Sequence, residues 1–160
     1  MALASEGGAF RPVLVIANYI RLTGMSTLVP ADRTCASSCA YIWLAGRVRM
    51  LDTNALIGFH GIFDERSGVP ASHGNALLGT LLGHLGTGYD MVDWVVSALA
   101  GTMHWLTPET AKRYGIDYQA DAGARATAAA LDPEARRPGS YTGSGDRRFT
   151  VARAAQSARA

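Results

Sequence analysis

The chain has 160 residues, a mass of 16.9 kDa and 48% apolar residues, enough for one domain with a genuine core and too few for two. Its formal charge of +2 is unevenly spread: residues 120 to 160 hold seven arginines against four acids, and residues 1 to 119 hold eight Lys+Arg against nine Asp+Glu. A near-neutral body excludes a nucleic-acid groove of clustered cations on the folded part. No stretch approaches the ~18 consecutive apolar residues of a membrane span, and the longest candidate, Ala76 to Leu85, is broken by Gly79, Gly83 and His84.

Ala2-Leu3-Ala4 before Ser5-Glu6-Gly7-Gly8 reads as the end of a strand entering a glycine turn. The chain is therefore expected to start in mid-fold. The first eight residues also lack the basic region and apolar run of a secretory leader, so the chain as written is not expected to be exported. From Phe10 to Leu22 the apolar positions Phe10, Val13, Leu14, Ala17 and Ile20 recur at helical spacing, Pro12 is tolerated in the first turn, and Gly24 ends the helix. Ser26 to Val29 is a short strand stopped by Pro30, and Ala31 to Thr34 connects it to a serine turn. A helix from about Ser38 to Ala45 closes at Gly46, and Arg47 to Met50 alternates as a strand. Asp52-Thr53-Asn54 turns the chain into an apolar strand over Ala55 to Ile62.

Asp64 to Gly74 is a polar loop, followed by helices over Asn75 to Leu85 and Tyr89 to Leu99 with Gly86-Thr87-Gly88 between them. Both helices are expected to lie over the sheet or at a subunit contact. Thr107-Pro108-Glu109 supplies an N-cap, a proline at the first position and an early acid for a further helix closed by Gly115. Ile116 to Tyr118 is the next strand. The domain is thus expected over residues 1 to 119. Residues 120 to 160 are rich in Ala, Arg, Gly and Ser and are expected to be disordered, with at most an Ala-rich helix near Arg125 to Leu131.

The stretch Thr34 to Gly46 carries the chemistry. It sets Ser37 and Ser38 among small residues between a strand and a helix, the order used by a nucleophile turn. Small residues let the backbone approach a substrate carbonyl, and a helix starting there directs free N–H groups and its positive end at developing negative charge. The plainer alternative is that Ser37 or Ser38 is only an N-cap. Cys35 and Cys39 are too few for a disulfide framework and lack the partners of a metal site. They are expected as small buried residues, with a local disulfide open if their Cβ atoms come within about 3.5–4.5 Å. His60, between Gly58 and Gly61 in an apolar strand, is either a satisfied core residue or a base for the upstream serine.

Gly7-Gly8, Ser37-Ser38, His60 and Asp117 occur in an order that resembles the Clp protease proteolytic-subunit and crotonase superfamily, specifically small Clp-like proteins predicted to be periplasmic. Ser5-Glu6-Gly7-Gly8 matches a family S-P-G-G turn, with Glu6 in place of proline. Ala36-Ser37 through Ala45-Gly46 matches the serine segment, Ile57 to His60 the histidine strand, and Pro108-Glu109 through Asp117 the segment that delivers the acid. The matches span about residues 3 to 118. The resemblance implies an α/β fold, a repeated β-β-α spiral here lacking its first strands. It implies Ser37 as nucleophile with Ser38 as the alternative, His60 as base, and Asp117 as the acid that orients it. The backbone N–H groups of Gly8 and Ser38 would form the oxyanion hole. A gapless match puts Tyr118 at the acid position, which leaves Asp121, or no acid, open as alternatives to Asp117.

The activity so implied is a serine hydrolase acting on peptides or proteins, assembled as a homo-oligomer, needing no metal or cofactor, and periplasmic or exported. A catalytically inactive Clp-like scaffold for binding or assembly is the alternative, and an acyl-CoA enzyme of the crotonase type is a third. A Ser/Lys dyad is disfavoured, because Lys112 is the only lysine and belongs to the late helix.

Overall fold

The computed structural model describes residues 1–121 except Glu65 and Leu99. Both the disorder expected for residues 120 to 160 and the Ala-rich helix near Arg125 to Leu131 fall outside the described residues, Ala120 and Asp121 apart. Helix α1 (Arg11–Thr23) turns Val13, Ala17 and Ile20 inward, and Gly24 closes it at φ 65°, its N–H reaching back to the helix carbonyls. That left-handed conformation costs glycine almost nothing. Strands β1 (Thr27–Val29) and β2 (Thr34–Ala36) follow, then helix α2 (Ser38–Leu44), strands β3 (Arg49–Leu51) and β4 (Leu56–Phe59), helices α3 (Ser72–His84) and α4 (Tyr89–Val96), strand β5 (His104–Trp105), helix α5 (Pro108–Arg113) and strand β6 (Gln119–Ala120).

The strands form two small sheets, ordered β1-β3-β6 and β2-β4-β5. All pairs are parallel except β4–β5. Each strand pair before a helix gives one strand to each sheet, so that β1 and β2 precede α2, and β3 and β4 precede α3. The first residues continue the pattern, with Ala2 bridged to Leu28 and Ser5 bridged to Cys35 ahead of α1. This is the expected β-β-α repeat. A strand pairs with the strand one unit later because parallel partners need a crossover between them, and the helix of each unit supplies it.

Helix α2 is the centre of the molecule. Cys39, Ala40, Tyr41, Trp43 and Leu44 are all buried, which is why its sequence shows no polar face. Its end is fixed by close contact: Thr27 Oγ1 donates to the Trp43 carbonyl at 2.7 Å, and a Cβ on Gly46 would fall 2.2 Å from that same hydroxyl oxygen. Helix α4 lies over the second sheet, with Met91 and Val95 buried and Trp94 against Phe59. Thr107 caps α5 through reciprocal bonds with Thr110, as the Thr-Pro-Glu start predicts.

Several boundaries differ from the sequence reading, each for a tertiary reason. Thr34 is strand rather than connection, because Ser5 and β4 pair with β2 on either side. Helix α3 begins at Ser72 inside the expected loop, where Gly74 packs so tightly on Ile62 that a Cβ would approach to 2.8 Å. The strand expected over Ile116 to Tyr118 lies instead at Gln119–Ala120, where β3 offers an edge. Strand β5 has two residues, too few to show alternation.

Candidate active site

Ser37 stands where β2 passes into α2, and its backbone is at φ 54° and ψ −125°. A non-glycine residue there costs on the order of 1–3 kcal/mol and persists only when its surroundings enforce it. The surroundings are visible. Ser37 N–H donates to the Gly58 carbonyl at 2.8 Å, and the Ser37 carbonyl accepts from Ala40 N–H at 2.9 Å. Across the turn, Cys35 and Cys39 are joined in a disulfide. The cysteines expected to be buried are buried, and the local disulfide that was left open is formed.

Ser37 occupies the N-cap position of α2 without capping it, since its side chain makes no cap hydrogen bond. Among the described residues its hydroxyl has no hydrogen-bond partner. Ser38 differs. It is 7% exposed, and its hydroxyl donates to the Gly8 carbonyl at 2.7 Å, so it ties the glycine turn to the serine turn. The two turns touch: at Gly7, with φ 105°, a Cβ would lie 2.6 Å from Ser37 Cβ. Among the described residues neither the Gly8 nor the Ser38 N–H donates to a protein acceptor.

His60 follows β4 as Ser37 follows β2. Because Ala36 and Gly58 are in register on these neighbouring parallel strands, the two residues leave the same end of the sheet. That end of parallel strands is where α/β folds place their sites. Both line a cavity of about 310 Å3, together with Glu6, Gly8, Phe10 and Ser38. No hydrogen bond joins Ser37 to His60 among the described residues. His60 Nδ1 lies 2.5 Å from the Gly61 carbonyl oxygen. A carbonyl only accepts, so this contact requires the hydrogen on Nδ1 and leaves Nε2 as the basic nitrogen.

Two residues that sequence reasoning missed hold the segment from His60 to Ile62. Tyr41 Oη donates to the His60 carbonyl at 2.5 Å, and burial pushes its phenol above the ordinary tyrosine range, against the smaller opposing effect of that bond. Asn75 brackets Ile62, accepting from its N–H at 2.7 Å and donating to its carbonyl at 2.8 Å. Asn75 opens the helix expected over Asn75 to Leu85 without any motif, so only the fold reveals it.

Asp117 is not beside His60. Its carbonyl accepts from Arg49 Nε at 2.8 Å, and it lines a separate cleft with Arg47, Val48 and Tyr118. Burial holds the Arg49 guanidinium below its ordinary value, and the charge of Asp117 works against that shift. Asp121, the other candidate acid, meets Thr53 Oγ1 at 3.5 Å. The structure brings Gly8, Ser37, Ser38 and His60 together and leaves both acids at the first sheet, where β3 and β6 pair.

No family model and no curated protein matches the chain. Solved structures do. A serine-to-alanine variant of the 1510-N membrane-bound stomatin-specific protease superposes at a TM-score of 0.54 with 17% identity, over 78% of this chain and 65% of that one. A lysine-to-alanine variant of the same protease in complex with a substrate peptide gives 0.52 at 19% identity, over 74% and 58%. A variant of ClpP1 from Listeria monocytogenes gives 0.54 at 21%, over 74% and 70%. The chain has the Clp protease/crotonase-like fold. It spans 65% and 58% of the two stomatin-specific protease chains. At these identities the likeness carries the Clp-like fold, and the chemistry rests on this chain's own residues.

Proposed function

We propose that this Clp-like chain is a serine hydrolase acting on peptides, with Ser37 as nucleophile and His60 as general base. The observation that carries the reading is Ser37 itself, strained at the strand-to-helix turn, uncapped, and sharing a cavity with His60. Ser37 Oγ attacks the scissile carbonyl while His60 Nε2 takes its proton, and the backbone N–H groups of Gly8 and Ser38 receive the oxyanion. The imidazolium returns that proton to the leaving amine, and water activated by the same nitrogen releases the acyl group. The Gly61 carbonyl takes the orienting role on Nδ1 that an acid would otherwise hold. The Ser37–His60 hydrogen bond closes in the substrate complex.

A fluorophosphonate probe tests this. Wild type is expected to label at Ser37, Ser37→Ala not at all, and His60→Ala slower by about 10²–10⁴-fold. Asp117→Ala is expected to slow labelling by less than about tenfold, because general-base catalysis does not run through it. Equal labelling of wild type, Ser37→Ala and His60→Ala overturns the reading. The second reading is a non-catalytic scaffold, favoured by the distance of both acids from His60. It predicts peptide binding and no covalent labelling. The chain is further proposed to work as a homo-oligomer, and in an oxidising compartment such as the periplasm, where a disulfide like Cys35–Cys39 persists.

A further inference from the structure

The cavity in front of Ser37 has mixed polar and apolar walls. Phe10, Tyr41, Ile62 and Phe63 supply aromatic and aliphatic surface, and Glu6 is the one carboxylate among the described residues lining it. Glu6 is exposed, and among the described residues its side chain has no ion-pair or hydrogen-bond partner. Among the described residues no lysine or arginine lines the cavity, and His60 is the one lining residue that can carry a positive charge. On the other side of Gly8 and Ser38 lies a second cavity, of about 250 Å3, walled by Leu3, Pro12, Val13, Ile16 and Ile42, with no charged residue among the described residues. The two sides of the serine turn therefore offer different chemistry.

We propose that Glu6 makes the first cavity a subsite for a basic side chain, lysine or arginine, of a peptide substrate, an inference that rests on the hydrolase reading above. A lysine or arginine is apolar along its stem and charged at its tip. Its methylenes match the Phe10 and Phe63 surface while its head stays at the wet edge beside Glu6. An acidic side chain would meet that carboxylate and is rejected. Because Glu6 is exposed, the preference is modest, about two- to fivefold, and is screened by salt.

Binding to Ser37→Ala protein isolates this preference from catalysis. A fluorescein-labelled apolar peptide carrying one arginine, scanned along its length, is compared by fluorescence anisotropy with the same set carrying citrulline, the neutral isostere. Arginine is expected to bind about two- to fivefold tighter at one position, with the advantage shrinking at high salt. Adding Glu6→Gln should erase it, and Glu6→Lys should shift the preference to glutamate. Equal affinities at every position, an arginine advantage that survives Glu6→Gln, or no peptide binding at all would each overturn the subsite. Labelling of Ser37 in wild type without a charge preference leaves the hydrolase and removes the subsite. A charge preference without labelling does the reverse.

Discussion

Ser37 has a positive φ that serine rarely adopts and a hydroxyl that caps nothing, and both features separate it from an ordinary helix N-cap. His60 is similarly set apart, since its ring meets the Gly61 carbonyl and the partly exposed Phe63 ring at the cavity. The types and order of these two residues were legible, because a small-residue turn and a glycine-flanked histidine leave marks in the sequence. The placement of Asp117 and Asp121 was not legible. Asp117 sits at a plausible position along the chain, but its location depends on the register of β6 against β3, which no local pattern encodes. Tyr41 was equally hidden, being one of several aromatic and apolar residues in a buried helix. It gives a test. Burial raises its folded pKa above the ordinary value of 10.0, so the folded state favours the neutral phenol. Its contribution to stability is complete below about pH 10 and is lost as the pH rises beyond that. Thermal melts followed by circular dichroism should show a falling Tm above about pH 10 that is less steep in Tyr41→Phe. Identical slopes in the two proteins would show that Tyr41 is not the group responsible.

At the scale of elements, the β2–α2 junction is the best-determined part of the chain. Three constraints meet there: the β2–β4 ladder, the Ser5 bridge to Cys35, and the Cys35–Cys39 disulfide. The helices α1 and α5 were readable because their ends carry chemistry, Pro12 with Gly24 in one and the Thr107 box in the other. The start of α3 was not, because Ser72-His73-Gly74 looks like loop, and its glycine is required by Ile62 from another part of the chain. The disulfide closes a loop of only a few residues, so chain entropy assigns it about 2 kcal/mol. The Cys35→Ser, Cys39→Ser double variant is expected to lose roughly that much stability in a denaturant titration. It should also label more slowly at Ser37, because the strained turn loses its clamp. Unchanged stability and labelling would mean that the strand ladder alone holds the turn.

For the whole molecule, the outer face of α1 stands out. Val15, Tyr19 and Leu22 follow one another at helical spacing and are 72%, 62% and 79% exposed. Beside them a groove of about 330 Å3 runs between α1 and α3, lined by Leu14, Leu77, Leu81 and Leu85. Apolar surface repeated on one helix face is the usual mark of a contact with another chain, in keeping with the proposed homo-oligomer. Light scattering is expected to give a mass above one chain, falling to the monomer mass in Tyr19→Glu, Leu22→Glu. A monomer in wild type would remove that proposal. The sequence by itself determined the alternation of strands and helices, the caps, and the order of glycine turn, serine turn and histidine, since these depend on neighbours within a few residues. Only the tertiary structure decided which groups meet His60, what Ser38 does, and where the acids lie. Those outcomes turn on the register of strands far apart in the chain, and a shift of one residue moves every side chain to the opposite face.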